Sequence, residues 1–192
     1  LKELFFHPEY EEMLDIWDMQ LASYGREVSQ YRREFIGELN ELICPIHRKL
    51  SGGKEELIIQ YEPNTEADQL EAAVKKSREA DRKQKTTLVG PHRDDLSFYV
   101  NGIDIRRFGS QGQQRTAALS LKLSEIELVK MLIHDTPILL LDDVLSELDK
   151  NRQNYLLDSI HDIQTVITCT GLDEFVNHRF SCLLYTSDAA DE

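Results

Sequence analysis

Cysteine is scarce in this sequence. Three (Cys44, Cys169 and Cys182) stand far apart among 192 residues. An odd, scattered set builds no disulfide framework and fits a reducing compartment. No CxxC pair is present, so the usual structural zinc arrangements are not expected. No stretch of about 18 apolar residues occurs, and no membrane-spanning helix is expected. The opening, LKELFFHPEYEE, lacks the basic and then apolar pattern of a secretory signal. It also lacks an initiator Met, which reads as a chain that begins within a longer protein. Together these absences predict a cytoplasmic protein. Also missing is GxxxxGK[ST], the loop that cradles nucleotide phosphates. Leu50-Ser51-Gly52-Gly53-Lys54 comes near it, but Arg48 stands where its first glycine would be and Glu55 where Ser or Thr is needed. A strand pattern follows, so this segment reads as a helix-to-strand turn.

What is present is average in bulk and uneven in charge. Apolar residues make up 41% and charged residues 30%, with a net charge of −13. That charge argues against a uniform nucleic-acid surface. Residues 75–115, however, hold 10 basic and 5 acidic residues, between two strongly acidic flanks. If the protein meets phosphates, this block is where it is expected to do so, through Lys75, Lys76, Arg78, Arg106 and Arg107. A solvated helix face and hairpin is the competing reading.

From Tyr10 to Ile46, apolar residues recur in steps of three and four: Leu14, Trp17, Leu21, Tyr24, Val28, Tyr31, Phe35, Leu39 and Leu42. The period of about 3.5 is that of a seam between packed helices. Pro45 is expected to end or kink the helix. ELIIQYE (56–62) reads as a strand, 66–85 as a polar helix capped by Asn64 or Thr65, and 86–89 as a short strand. Asn101-Gly102 signals a type I′ hairpin between 96–100 and 103–106. A helix is expected over 113–133. Strand 138–141, helix 149–160, strand 164–168 and a short helix 172–176 then imply a parallel α/β sheet. The expected division is 1–85 as a helical arm-like part, 86–180 as an α/β part and 181–192 as a tail.

Ile138-Leu139-Leu140-Leu141-Asp142-Asp143 is the strongest chemical signal. Its apolar run predicts a strand covered on both faces. The carboxylates emerge at its C-terminal end, where open α/β sheets bind ligands. Mg²⁺ and nucleotide phosphates would offset their mutual repulsion. Asp142 is the candidate metal ligand, through water, and Asp143 the candidate general base. Upstream, Phe108-Gly109-Ser110-Gln111-Gly112-Gln113 opens directly into a helix, a phosphate cradle of backbone N–H groups and a hydroxyl. Gly90-Pro91-His92-Arg93-Asp94-Asp95 is a dense polar loop; His92 and Asp94 lack a third metal ligand.

These segments resemble the ABC-type ATPases. Ser110, Gly112 and Gln113 match that class's signature loop, with Gln111 where many members have glycine. Leu145 to Asp149 looks like its D-loop. Thr170 stands where the class usually has a phosphate-sensing histidine. TLVGPHRDD, the NG hairpin, FGSQGQQRTAALSLKLSE and PILLLDDVLSELD, in this order, resemble the RecF family over roughly residues 1–180. The resemblance implies the C-terminal half of an ABC-type (P-loop NTPase-like) α/β ATPase head, with an N-terminal helical arm. It implies ATP and Mg²⁺ as cofactors and Ser110, Gln111, Gly112, Gln113, Asp149 and Thr170 near nucleotide. It further implies an ATP-dependent homodimer, single- and double-stranded DNA as partner, and slow ATP hydrolysis. RecO- and RecR-like mediators and recombinase loading at gaps in DNA repair, replication and the SOS response complete what it implies. The Walker A half is expected before Leu1, so the 192-residue chain alone is expected to be inactive. The tail SCLLYTSDAADE departs from the family's closing strand. A structural chromosome-organising head and a non-catalytic interaction module are the alternatives; the short helical arm favours RecF.

Overall fold

The computed structural model describes residues 8–168, in two compact units that divide at Asp135/Thr136. The expected helix at 172–176 and the tail at 181–192 lie outside the described residues. The first unit is built on α1 (Leu14–Leu50), 37 residues long. Pro45 neither ends it nor keeps it from reaching Leu50. The proline removes one backbone donor, at a cost of about 3 kcal/mol in a helix interior. Burial of Ile43, His47 and Leu50 around it offsets that cost. The helix stops instead at Gly52 and Gly53, both at positive φ (67° and 80°), as the turn reading expects.

The buried face of α1 coincides with the predicted stripe only in part: Leu14 and Leu39 are buried and Leu21 and Leu42 pack on the core. Leu14, Asp18, Ala22, Gly25, Ser29, Ile36, Leu39, Ile43 and His47 point inward. Trp17, Tyr24, Val28, Tyr31 and Phe35 are exposed. The reason is close approach. α2 (Leu70–Gln84) lies so near that a Cβ on Gly25 would come within 2.5 Å of Leu70 Cδ2. Small residues face the partner, and the aromatics are left one step round the helix. Arg78 anchors the same contact, donating to Asp18 at 2.6 Å and to Asp15 at 2.5 Å. α2 begins at Leu70 rather than at 66, and neither Asn64 nor Thr65 caps it. Asn64 serves the Gly90 loop instead, accepting from Gly90 N at 3.3 Å. Residues 86–89 form no strand; Leu88 N donates to buried Asp81 at 3.1 Å.

An antiparallel sheet lies across the C-terminal half of α1: β1 (Leu57–Glu62), β2 (Asp95–Val100) and β3 (Ile103–Asp104). Leu57 and Ile59 pack inward on Ile36, Leu39 and Ile43. Asn40 closes the free edge of β1: its amide donates to Ile59 O and accepts from Ile59 N, both at 2.8 Å. Asn101 and Gly102 have φ of 49° and 79°, as a type I′ turn requires. The second hairpin arm ends early, at Asp104, which caps α3 (Ile105–Phe108). α4 (Gln111–Ile133) follows and packs on α1.

The second unit holds β4 (Leu139–Asp142), α5 (Lys150–Ser159) and β5 (Thr165–Thr168). The two strands pair in parallel, with Asp142 opposite Thr168, as the strand–helix–strand pattern predicts. Coverage on both faces is not seen among the described residues. Leu140 is 72% exposed, because two strands and one helix cannot cover both sides. Among the described residues, no helix is long and apolar enough to cross a membrane.

Gly25→Val is expected to destabilise the first unit by about 2 kcal/mol through overpacking against Leu70. A lower urea midpoint with an unchanged slope is the expected readout.

Candidate functional site

The first half of the site is the turn into α4. Gly109 allows it, since a Cβ there would lie 2.6 Å from Ile105 O. Ser110 is extended (φ −67°, ψ 157°) and caps the helix. Its Oγ accepts from Gln113 N at 3.2 Å, and its own N–H donates to Gln113 Oε1 at 3.0 Å. This reciprocal box leaves the Ser110 hydroxyl proton free to donate outward. Gln111 and Gly112 are exposed. Their N–H groups sit in the first turn, at the positive end of a 23-residue helix. A Cβ on Gly112 would meet nothing closer than Ser110 Oγ at 3.9 Å. The glycine is therefore not demanded by packing; it keeps the approach to the amides open.

Gln113 is engaged inside the chain rather than aimed at a ligand. Its Nε2 donates to Glu55 Oε1 at 2.9 Å. Glu55 Oε2 lies 3.4 Å from Nε2 of fully buried His47. His47 Nδ1 meets Ser120 Oγ at 2.9 Å, Ser120 Oγ donates to Thr116 O at 2.7 Å, and Thr116 Oγ1 donates to Gly112 O at 2.6 Å. The path leaves the loop at Gln113 and returns to it at Gly112. Sequence reading missed His47 and Glu55. The available signal was Thr116, Ser120 and Ser124, hydroxyls four apart on one buried face of α4.

The second half lies at the end of β4. Asp142 and Asp143 are both exposed. Asp142 Oδ1 accepts from Thr168 Oγ1. Asp143 has φ 51°, a left-handed turn that re-aims the chain directly after the strand. Its N–H donates to Thr168 O at 3.0 Å and to Thr168 Oγ1 at 3.1 Å. The D-loop-like segment then folds as a short 3₁₀ turn (Leu145–Glu147). Gln153 Nε2 holds it by donating to Leu145 O at 2.7 Å and Leu148 O at 3.0 Å. Asp149 caps α5, accepting from Asn151 N at 3.0 Å, Arg152 N at 3.1 Å and Arg152 Nη1 at 2.6 Å. The Arg152 amide, more than any other contact, holds its carboxyl below the ordinary 3.8. Thr170 lies outside the described residues.

Among the described residues, no group of three or more His, Cys, Asp or Glu could hold a metal unaided. Two exposed carboxylates at a strand end suit a Mg²⁺ ion that keeps most of its shell as water and phosphate oxygen. In the Gly90 loop, Asp94 accepts from Arg32 Nη1 at 2.8 Å, Asn64 N at 2.9 Å and the Tyr61 hydroxyl. Burial, and then that bond, push the Tyr61 phenol up. The loop thus binds β1 to α1.

The five basic candidates are mostly paired. Lys75 meets Glu71 at 2.9 Å, Arg78 meets Asp15 and Asp18, Arg106 meets Asp95 at 2.8 Å, and Arg107 meets Asp104 at 3.5 Å. Lys76 makes no ion pair among the described residues.

The α/β fold, the capped loop before α4 and the acid-ended strand define the class: part of an ABC-type ATPase head. No protein-family model matches the chain. Two proteins named DNA replication and repair protein RecF do. That of Agathobacter rectalis is 61% identical over 180 residues, covering 94% of this chain and 50% of that protein. That of Lachnospira eligens is 56% identical over 183 residues, with the same coverage. A solved structure described as the recombination mediator protein RecF with ATP, in the RecFOR pathway, superposes with a TM-score of 0.74 at 36% identity. It covers 84% of this chain and 46% of that one. The resemblance to RecF read from the motifs is thus borne out over nearly the whole chain, which spans about half the length of the curated relatives it matches.

Asp149→Ala is expected to cost about 1 kcal/mol, the usual value of a cap. The Asp149 carboxyl titrates lower folded than unfolded, so its stabilisation is present above the ordinary 3.8 and lost as pH falls below it. Unfolding midpoints of the two proteins should therefore differ at neutral pH and converge in acid. Glu55→Ala removes the acceptor of Gln113 Nε2 and the carboxylate that faces His47, and is expected to cost about 1–3 kcal/mol. Glu55→Gln should restore part of it, read by the same midpoints.

Proposed function

We propose that this chain supplies half of a composite ATP site in a RecF-type DNA repair and replication protein. The observation that carries the reading is the pairing of two features within one chain: an open, capped helix N-terminus at Ser110 and two exposed carboxylates at the end of β4. The first has donors and no acid to face a metal; the second has acids and no donor cradle. Such halves suit two different nucleotides in a homodimer.

In this reading Ser110 Oγ and the Gln111 and Gly112 amides grip the terminal phosphate of ATP bound mainly by the other subunit. Asp142 is the residue that would hold Mg²⁺, through water, for the chain's own nucleotide. The ion supplies positive charge against the phosphate oxygens. Asp143 orients and deprotonates the attacking water. Gln113 and Asp149 act through shape, the one by closing the capping box and the other by fixing the end of the D-loop-like turn. Thr170 stands in the sequence where the ABC-type class usually has its phosphate-sensing histidine.

The names of the relatives and the description of the ATP-bound structure support the remaining assignments. The protein works in the cytoplasm, binds single- and double-stranded DNA at gaps, dimerises with ATP and turns it over slowly. It promotes recombinase loading with RecO- and RecR-like mediators. Lys76 is the first candidate to meet DNA phosphates; Lys75, Arg78, Arg106 and Arg107 would have to exchange carboxylates for phosphates.

In a RecF-length protein containing this chain, Asp143→Asn is expected to lower ATP turnover by about 10²-fold or more while ATP still binds. Steady-state hydrolysis and nucleotide titration check this. Unchanged turnover contradicts the role given to Asp143.

A further inference from the structure

The turn that ends α1 grips no phosphate; what it does is place Glu55. Ser51 Oγ accepts from Glu55 N at 3.2 Å. The next residue is tied to the β2–β3 turn: Glu56 N donates to Asn101 Oδ1 at 2.9 Å, and Asn101 N donates to Glu56 O at 3.0 Å. Glu55 is thus clamped on both sides, and its side chain, 21% exposed, reaches the start of α4. There it meets Gln113, whose amide carries an acceptor oxygen and a donor nitrogen in nearly the same shape. Oxygen toward Ser110 N closes the capping box; nitrogen there would set donor against donor and open it. An ionised carboxylate accepts and does not donate. Glu55 Oε1, 2.9 Å from Gln113 Nε2, therefore selects the amide orientation that the box needs. Buried His47 stands behind it. Ser120 Oγ gives its one proton to Thr116 O and so accepts from His47 Nδ1, which turns His47 Nε2 toward Glu55 Oε2 at 3.4 Å.

We propose that Glu55 is a positioning residue for ATP hydrolysis. Its carboxylate, placed by the Ser51 turn and backed by His47, fixes the Gln113 amide. Through that amide it holds the Ser110 hydroxyl and the Gln111 and Gly112 N–H groups where they meet the other subunit's nucleotide. The proposal rests on the composite-site reading and adds to it a residue that touches no phosphate. Its effect is directional: Glu55 belongs to the grip offered to the neighbouring subunit, not to the acids that serve the chain's own nucleotide. A carboxylate that served only the fold would not sort with one half of the site. Catalytic donors tolerate little displacement, since an error of about 1 Å can cost about 10²-fold in rate.

The test uses RecF-length variants at a temperature where circular dichroism shows them folded. Glu55→Ala should lower ATP turnover by about tenfold or more while ATP binding by the dilute protein is unchanged. Glu55→Gln, whose amide oxygen still accepts from Gln113, should keep most of the turnover. Mixed in equal amounts with Asp143→Asn, Glu55→Ala should recover about a quarter of wild-type turnover, because each heterodimer has one intact site. Mixed with Ser110→Arg it should recover nothing, because each site then carries one defect. Gln113→Glu keeps the capping box but sets two carboxylates together. It should be impaired, and Glu55→Gln in the same chain should restore it; this pair decides the matter where Glu55→Ala does not fold. Full turnover in folded Glu55→Ala overturns the proposal. So does recovery with Ser110→Arg, no recovery with Asp143→Asn, or no restoration of Gln113→Glu by Glu55→Gln. If Ser110→Arg and Asp143→Asn fail to recover together, the composite-site reading falls, and this proposal with it.

Discussion

Glu55 stands where three pieces of the first unit meet. One oxygen accepts from Gln113, the residue that closes the capping box of α4. The other faces His47, buried near the end of α1. The backbone that carries Glu55 leads directly into β1. The long helix, the sheet and the loop before α4 therefore meet at one carboxylate. The interior of α4 completes the circuit through Ser120 and Thr116 back to Gly112. A loop that must present open amides cannot use them to hold its own shape. The supporting bonds come instead from the side chains of Ser110 and Gln113 and from the layer beneath. A movement of α1 relative to the sheet would reach the loop through these same bonds.

The second unit solves a similar problem differently. Two adjacent carboxylates must stay accessible without disturbing the parallel pair behind them. Thr168 does this from the neighbouring strand, donating to Asp142 and accepting from the Asp143 amide. The left-handed turn at Asp143 then re-aims the chain directly after Asp142. Gln153 and Asp149 fix the following turn from α5, again by side-chain bonds to backbone.

The local elements that carry the candidate site were far more legible in the sequence than the packing was. Strand, acids and D-loop are contiguous, and the cradle is a contiguous turn into a helix; local pattern suffices for both. The Asn101-Gly102 hairpin was legible for the same reason. The buried face of α1 was not. Hydrophobicity pointed to the aromatic line, but steric closeness to α2 selected Ala22, Gly25 and Ser29. Small residues carry little hydropathy signal. Pro45 does not end the helix, because His47 and Leu50 are buried beyond it. The Glu55–His47 link joins residues distant from Gln113 and Ser120 in sequence, beyond the reach of any spacing rule. Asn64 looked like a cap but proved to be a loop staple, since both roles use the same short amide.

The central claim is that Ser110 and Asp143 of one chain act on different nucleotides. Mixing tests it most directly. A RecF-length protein with Ser110 replaced by Arg and one with Asp143 replaced by Asn should each be nearly inactive alone. Mixed in equal amounts, they form heterodimers with one intact site, and statistical assembly predicts about a quarter of wild-type turnover. No recovery on mixing, with heterodimers shown to form, would mean that both residues serve the same nucleotide and would contradict the account.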